Sequence, residues 1–385
     1  MNLLNPRQES IKQAARDFVA RNIIPRAAAF DKSGEFHAYL LEAAKPTKIF
    51  AMAVPKEFGG LGYDAVTQSL VLEEWGYGCA AMGTTLAASI LSMESVLIAG
   101  TDEQKRRYFA PMLNGEIGAF GLTEPGAGSD VGAGETKAVK VGNDYVINGA
   151  KCWITNASFA SVHLVFAQTD PAMGTKGLSA FIVEKGTPGF TLGDIEHKLG
   201  LRSSNTVFYT LKDVRVPAAN LLGREGDGMK IAMKTLDTAR PAIGALAVGL
   251  AQRSLDECVA YMHQRFPGKP YPGQSLQFNL ADMQIQVQAA RQVLHDVMTL
   301  RDAKVPFSKE SAIAKTFCTD TAMRVSAQAV RLTGSHGYTS ELSKFMRDAK
   351  IMQIYEGTNQ IQRLVIARAV LASAPAAPQA LKAGE

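Results

Sequence analysis

Between residues 276 and 297 the apolar side chains Leu276, Leu280, Met283, Val287, Ala290, Leu294 and Val297 recur at alternating steps of four and three. That spacing lays one continuous stripe along a long helix, the pattern of a bundle member burying one face. Near the start, Ile11, Ala14, Ala15, Phe18 and Val19 share a helical face in the same way. Helical periodicity holds over residues 6–117, with proline and paired glycines breaking it at 54–62 and a Met-rich stretch at 82–93. The run Asp102-Glu103-Gln104-Lys105-Arg106-Arg107 then reads as the polar start of a further helix. Over 118–226 short alternating runs bounded by turn residues take over, with strands expected at 145–147, 152–154, 162–167, 178–183 and 206–216. Asn148-Gly149, between the first two, predicts a hairpin turn. After Gly228 the helical period returns, is interrupted at Val305-Pro306, and gives way to an Ala/Pro-rich tail over 372–378 that should fray.

The pattern therefore predicts an α+β chain, mainly α, in three parts: helical over 1–117, β over 118–226, helical over 227–385. No internal repeat is evident. Composition narrows the function classes. With 46% apolar and 20% charged residues in 385, there is ample material for several packed units. The net charge of +5 has no concentrated Lys/Arg block, so nucleic acid is not an expected partner. No uninterrupted apolar run approaches the ~18 residues of a membrane span. The first residues lack a signal peptide's apolar core and a transit segment's Arg/Ser bias, so a cytoplasmic location is expected. Cys79, Cys152, Cys258 and Cys318 are scattered, the histidines are dispersed and no Gly-x-Ser-x-Gly occurs. Disulfides, a metal site and serine-nucleophile chemistry all lack their usual signatures.

The chemistry concentrates near the C-terminus. Residues 347–363 place Glu356 at a glycine break between two apolar-periodic segments, flanked by Tyr355 and Thr358. Glycine inside a helix costs about 1 kcal/mol relative to alanine, so Gly357 predicts a bend that holds Glu356 at a fixed point. Asn359 is the expected cap of the next helix, with Gln362 in the capping-box position. Far upstream, residues 120–134 read Phe-Gly-Leu-Thr-Glu-Pro-Gly-Ala-Gly-Ser-Asp-Val-Gly-Ala-Gly, and 151–156 read Lys-Cys-Trp-Ile-Thr-Asn.

These three segments, in this order, resemble the acyl-CoA dehydrogenase family of FAD enzymes, most closely its short- and medium-chain branch. The resemblance covers essentially the whole chain. It implies an N-terminal helical domain, a central β-barrel and a C-terminal four-helix bundle, with FAD bound where they meet and a homotetramer assembled through the bundle. It implies that Glu356 removes the α-proton of an acyl-CoA while FAD accepts the β-hydride, giving the trans-2-enoyl-CoA, with an electron-transferring flavoprotein as acceptor. Phe120, Leu122, Thr123, Gly128 and Ser129 match the flavin loop, with Ser129 also reaching substrate, and Trp153 and Thr155 match its flavin wall. Thr358 and Gln360 match the pyrophosphate contacts, while Arg240 and Tyr355 fall on the substrate side. Some branches carry the base in the helix that opens the bundle, and there this chain has Ala239, which accepts no proton.

Four places bear on specificity. The family's Arg-x-x-Phe-Gly-x-Pro loop, which reaches FAD in a neighbouring subunit, is about two residues short here, and Arg265 and Gln274 are its matched contacts. Arg331-Leu332-Thr333-Gly334-Ser335-His336-Gly337-Tyr338 is bulkier than the family pattern. Met82 stands where glutaryl-CoA enzymes carry an arginine, which argues against a glutaryl substrate. Glu94 is either a solvated helix residue or an acid facing the acyl pocket. Two other functions share the fold: a different acyl-CoA reaction (desulfinase, enoyl-CoA reductase or oxygen-using relative), and a non-enzymatic flavin-loaded scaffold.

Overall fold

The computed structural model describes residues 4–36, 38–268 and 273–373, so most of the Ala/Pro-rich tail and part of the shortened loop lie outside the described residues. The first part consists of α1 (Pro6–Asn22), α2 (Ala27–Ser33), α3 (Tyr39–Ala44), α4 (Ala65–Gly78), α5 (Ala80–Ala99) and α6 (Asp102–Leu113). Capping fixes the starts. Asn5 and Gln8 exchange backbone–side-chain bonds at α1, and Thr101 and Gln104 do the same at α6. α5 is long and apolar enough to cross a bilayer, but 89% of that segment is buried inside the protein, as in a core helix.

Eight strands follow: β1 (Gly118–Gly121), β2 (Lys137–Val141), β3 (Asp144–Thr155), β4 (Val162–Gln168), β5 (Leu178–Glu184), β6 (Phe190–Ile195), β7 (Thr206–Pro217) and β8 (Leu221–Leu222). They form one sheet in the order β6-β7-β3-β2-β4-β5-β8, with β1 added parallel to β4. The hairpin expected at Asn148-Gly149 is not there. β3 runs through both residues as a single strand, and the turn back to β2 lies at Gly142-Asn143. Gly149 instead marks a bulge against β7, with φ +154, where a Cβ would meet Thr136 Oγ1 at 2.4 Å. The Asn-Gly signal was a local kink, because the same neighbour pairs with β3 on both sides of it.

The last part is helical: α7 (Gly228–Arg265), α8 (Gln274–Asp302), α9 (Ser308–Thr333), α10 (Ser335–Thr339), α11 (Glu341–Met352) and α12 (Asn359–Ser373). The predicted stripe on α8 faces inward at Met283, Val287, Ala290, Leu294 and Val297, all fully buried, while Leu276 and Leu280 pack at its edge.

One core residue in the sheet makes stability depend on pH. His163 on β4 is fully buried between Phe190 (4.6 Å between centroids) and Tyr209 (5.9 Å). Neither ring nitrogen has a partner among the described residues. Burial, helped by Lys185, lowers its pKa from 6.5 to about 4. The unfolded chain then binds the extra proton first, so folding weakens as pH falls from about 6.5 to about 4. One proton over that window corresponds to roughly 3 kcal/mol. His163→Leu should flatten the fall of the thermal midpoint between neutral pH and pH ~4.5. An unchanged fall would show that other groups set the acid limit.

Candidate active site

The turn 353–358 between α11 and α12 carries the candidate acid. Glu356 (φ +55) and Gly357 (φ +88) are both left-handed, a conformation that strains a non-glycine residue and persists only where surroundings enforce it. The enforcement is visible. Lys315 Nζ on α9 donates to Gly357 O (2.9 Å) and to Asn359 Oδ1 (2.8 Å). Gln362 Nε2 donates to the same carbonyl (3.0 Å), and Asn359 N–H donates to Gln353 O (2.9 Å). The Tyr355 hydroxyl lies 3.2 Å from Thr84 Oγ1 on α5.

The cap differs from expectation. Thr358 Oγ1 accepts from Ile361 N–H (3.2 Å), which makes Thr358 the N-cap of α12. Asn359 is the first helical residue, and its side chain is drawn inward to Lys315, Thr319 and Asp320. A buried ammonium competes for that amide more strongly than an exposed backbone N–H would.

Glu356 as a residue is half-buried, yet its Oε2 is fully enclosed and has no partner among the described residues. Desolvation raises its pKa from 4.5 to about 7, while Lys315 and Arg240 pull in the opposite direction. Burial likewise lowers Lys315 to about 7, opposed by Glu356. Arg240 on α7 is buried, bonded to Asp237 Oδ1 (2.6 Å), and electrostatically coupled to Glu356. Ala239 beside it is also buried and offers no acceptor.

A second cluster sits on the sheet. Leu122 and Thr123 follow β1, where Phe120 packs on Phe166 at 5.0 Å. Glu124 is buried and accepts from Glu135 N–H (2.6 Å), Thr136 N–H (3.1 Å) and Lys151 Nζ (2.6 Å). Lys151 also donates to Leu122 O (3.2 Å), and Cys152 N–H to Thr123 O (3.1 Å). Burial would raise the Glu124 carboxyl, but Lys151 and the other donors hold it below the ordinary range. Beyond this anchor the loop is open: a Cβ at Gly126 or Gly128 would meet nothing within 4 Å, and Ser129 is exposed.

Facing it, the β3 register slips between Lys151 and Ile154, and Trp153 (φ +59) turns outward with 59% of its surface exposed. Asn156 (φ +69) pins this bulge, donating from Nδ2 to Thr85 O (2.9 Å) and Gly118 O (3.3 Å). An outward-facing tryptophan, the half-buried Thr155 and an open glycine loop suit a flat, polar-edged ring such as a flavin.

Thr358 is half-buried and Gln360 exposed at the start of α12, where a helix N-terminus suits an anion. Arg265 and Gln274 do not join either cluster. They are exposed at the far ends of α7 and α8, with Arg265 roughly 37 Å along α7 from Arg240. In the bulky segment, His336 stacks on Tyr261 at 4.2 Å and Tyr338 is 80% exposed. Glu94 is not a solvated helix residue: it is buried in an ion pair with Arg301.

Sequence reasoning assigned no role to Lys315, Lys151, Glu124 or Asn156. A signal for Lys315 did exist. Ala312, Lys315, Thr319 and Ala322 follow steps of three and four, so the lysine occupies a core position of α9.

Comparison with known proteins places the chain by sequence and by fold. Family models for the acyl-CoA dehydrogenase N-terminal, middle and C-terminal domains match residues 5–116, 119–214 and 226–371. The chain is 43% identical to the short-chain specific acyl-CoA dehydrogenase of Rattus norvegicus mitochondria, over 95% of this chain and 90% of that one. It superposes on butyryl-CoA dehydrogenase from Megasphaera elsdenii with a TM-score of 0.93 at 39% identity, covering 96% of this chain and 100% of that one. A chain from the structural work on the electron transferring flavoprotein of Acidaminococcus fermentans gives a TM-score of 0.94 at 40% identity, covering 96% and 99%. With helical, sheet and helical parts each matched in order along one chain, the protein belongs to the acyl-CoA dehydrogenase family.

Proposed function

We propose that Glu356 is the base of this FAD-dependent acyl-CoA dehydrogenase, removing the α-proton of a short-chain acyl-CoA as the trans-2-enoyl-CoA forms. The observation that carries the proposal is the enclosed, unpartnered Oε2 with its pKa raised to about 7, which suits a base working near neutrality. Bound FAD supplies the acceptor for the hydride leaving the β-carbon. The chain supplies the rest. The Glu356 N–H is assigned to the thioester carbonyl, where charge develops. Tyr355, tied to Thr84, and Arg240 shape the substrate side. Phe120, Leu122, Thr123, Gly128 and Ser129 would hold the flavin from one side, Trp153 and Thr155 from the other, and Thr358 and Gln360 its pyrophosphate.

Assembly as a homotetramer is supported by apolar side chains left exposed on the last part of the chain. Phe278 and Ile285 recur seven residues apart on α8, as Leu364 and Leu371 do on α12. In such an assembly Arg265 and Gln274 are assigned to the FAD of a neighbouring subunit. A cytoplasmic location fits the four free, buried cysteines. An electron-transferring flavoprotein is the proposed electron acceptor, in keeping with the flavoprotein work that yielded the similar structure.

Anaerobic mixing of purified holoprotein with acyl-CoAs of graded length tests the function. Flavin absorbance should bleach fastest with short chains such as butyryl-CoA. A flavin unchanged across the series would defeat the proposal.

A further inference from the structure

Lys315 has no exposed surface, and an ammonium in such a place is costly unless partnered. Its two hydrogen-bond acceptors, Gly357 O and Asn359 Oδ1, are both neutral. The acids on the packed elements around it are committed elsewhere. Asp320 on α9 accepts from Gln353, Asn359 and Arg363 (2.9 Å), Asp237 on α7 pairs with Arg240, and Asp348 on α11 pairs with Lys344. Two charges remain without a close opposite partner: the Lys315 ammonium and the Glu356 carboxylate, whose Oε2 bonds to nothing among the described residues. Each acts on the other electrostatically, and Arg240 on α7, although paired with Asp237, acts on both.

We propose that Lys315 is a positioning residue for Glu356: its ammonium pins the carbonyl of the adjacent Gly357, fixing the left-handed turn, and adds to Arg240 a second buried positive charge that acts on the carboxylate. The proposal rests on the reading of Glu356 as the base. No proton passes through Lys315. The α-proton goes to Glu356, and Lys315 acts on it through its charged form and through its bond to the Gly357 carbonyl. The geometry of the turn and the charge of the base are then both influenced by one side chain on α9.

Lys315→Gln keeps a donor toward Gly357 O without the charge, and Lys315→Arg keeps the charge. The direct readout is infrared titration of the Glu356 carboxyl in substrate-free holoprotein, its band identified by its absence in Glu356→Gln. The midpoint should rise by at least about one pH unit in Lys315→Gln, a tenfold fall in the ratio of anion to acid at a given pH, and return toward wild type in Lys315→Arg. The pH profile of flavin reduction should move with it. A purely structural lysine would lower thermal stability and leave both midpoints in place, and that result would overturn the proposal.

A second measurement does not need the lysine variants to fold. Because coupling is reciprocal, the Lys315 midpoint, read by NMR of its side-chain carbon, should fall in Glu356→Gln. An unmoved Lys315 midpoint would equally refute the pairing. Neither titration depends on turnover, so retained activity in Glu356→Gln would remove the base assignment while leaving the pairing to be judged separately.

Discussion

Glu356→Gln should abolish flavin reduction by acyl-CoA, with a loss of roughly 10²–10⁴-fold, the range for removing a positioned proton acceptor. The amide is nearly isosteric with the acid, so the left-handed turn, held from outside by Lys315, Gln362 and Asn359, should survive. Flavin content and affinity for acyl-CoA should therefore change little while the chemical step collapses. In the wild type, single-turnover reduction should rise with pH through the midpoint near 7, because only the ionised acid accepts a proton. Substrate excludes further water, so the midpoint should move higher in the complex than in the free enzyme. Stopped-flow bleaching of the flavin reads all of this. A variant that reduces its flavin at the wild-type rate would require another base, and Ala239, at the alternative position on α7, is unable to serve.

Most of the architecture was legible because it was written in periods. The α8 stripe, the break at Val305-Pro306 and the polar start of α6 all read directly from residue spacing. Signals failed where a short-range rule had two structural outcomes. Asn148-Gly149 suits a turn or a bulge, and only pairing with β7 decided between them. Asn359 suits a cap or a buried amide, and Lys315, 44 residues earlier in the chain, decided that one. The same holds for Glu94, whose partner Arg301 is 207 residues away. The acid, the glycine break and the glycine-rich loop after β1 were recognisable as strings of residues. The charged pairs that hold them were not, since pairing is a property of the folded arrangement.

The largest stability effect should come from one such pair. Lys344 and Asp348 lie one turn apart on α11, both almost wholly buried, with Nζ 2.6 Å from Oδ2. Burial alone would push the ammonium's pKa down, but Asp348 first, and the nearby Cys79 thiol after it, raise it above its ordinary value. The other oxygen, Oδ1, accepts from Leu201 N–H at 2.6 Å, joining the helix to the loop between β6 and β7. Arg347 reinforces the seam through an ion pair with Asp31 and a bond to Leu199 O (2.9 Å). Packing there is close enough that a Cβ on Gly200 would lie 2.2 Å from Arg347 O. Asp348→Ala therefore strands a buried cation and a buried N–H together. The expected cost is about 3–5 kcal/mol, the range for breaking a buried pair from one side. Since α11 leads into the turn bearing Glu356, the acid should also lose its fixed position, lowering the rate of flavin reduction in whatever fraction remains folded. Lys344→Met combined with Asp348→Leu removes both charges and should regain much of the thermal midpoint, because an apolar pair avoids the desolvation cost. It would not restore the Leu201 bond. If the single and double variants melted alike, that backbone contact, and not the ion pair, would be what holds the helical part to the sheet.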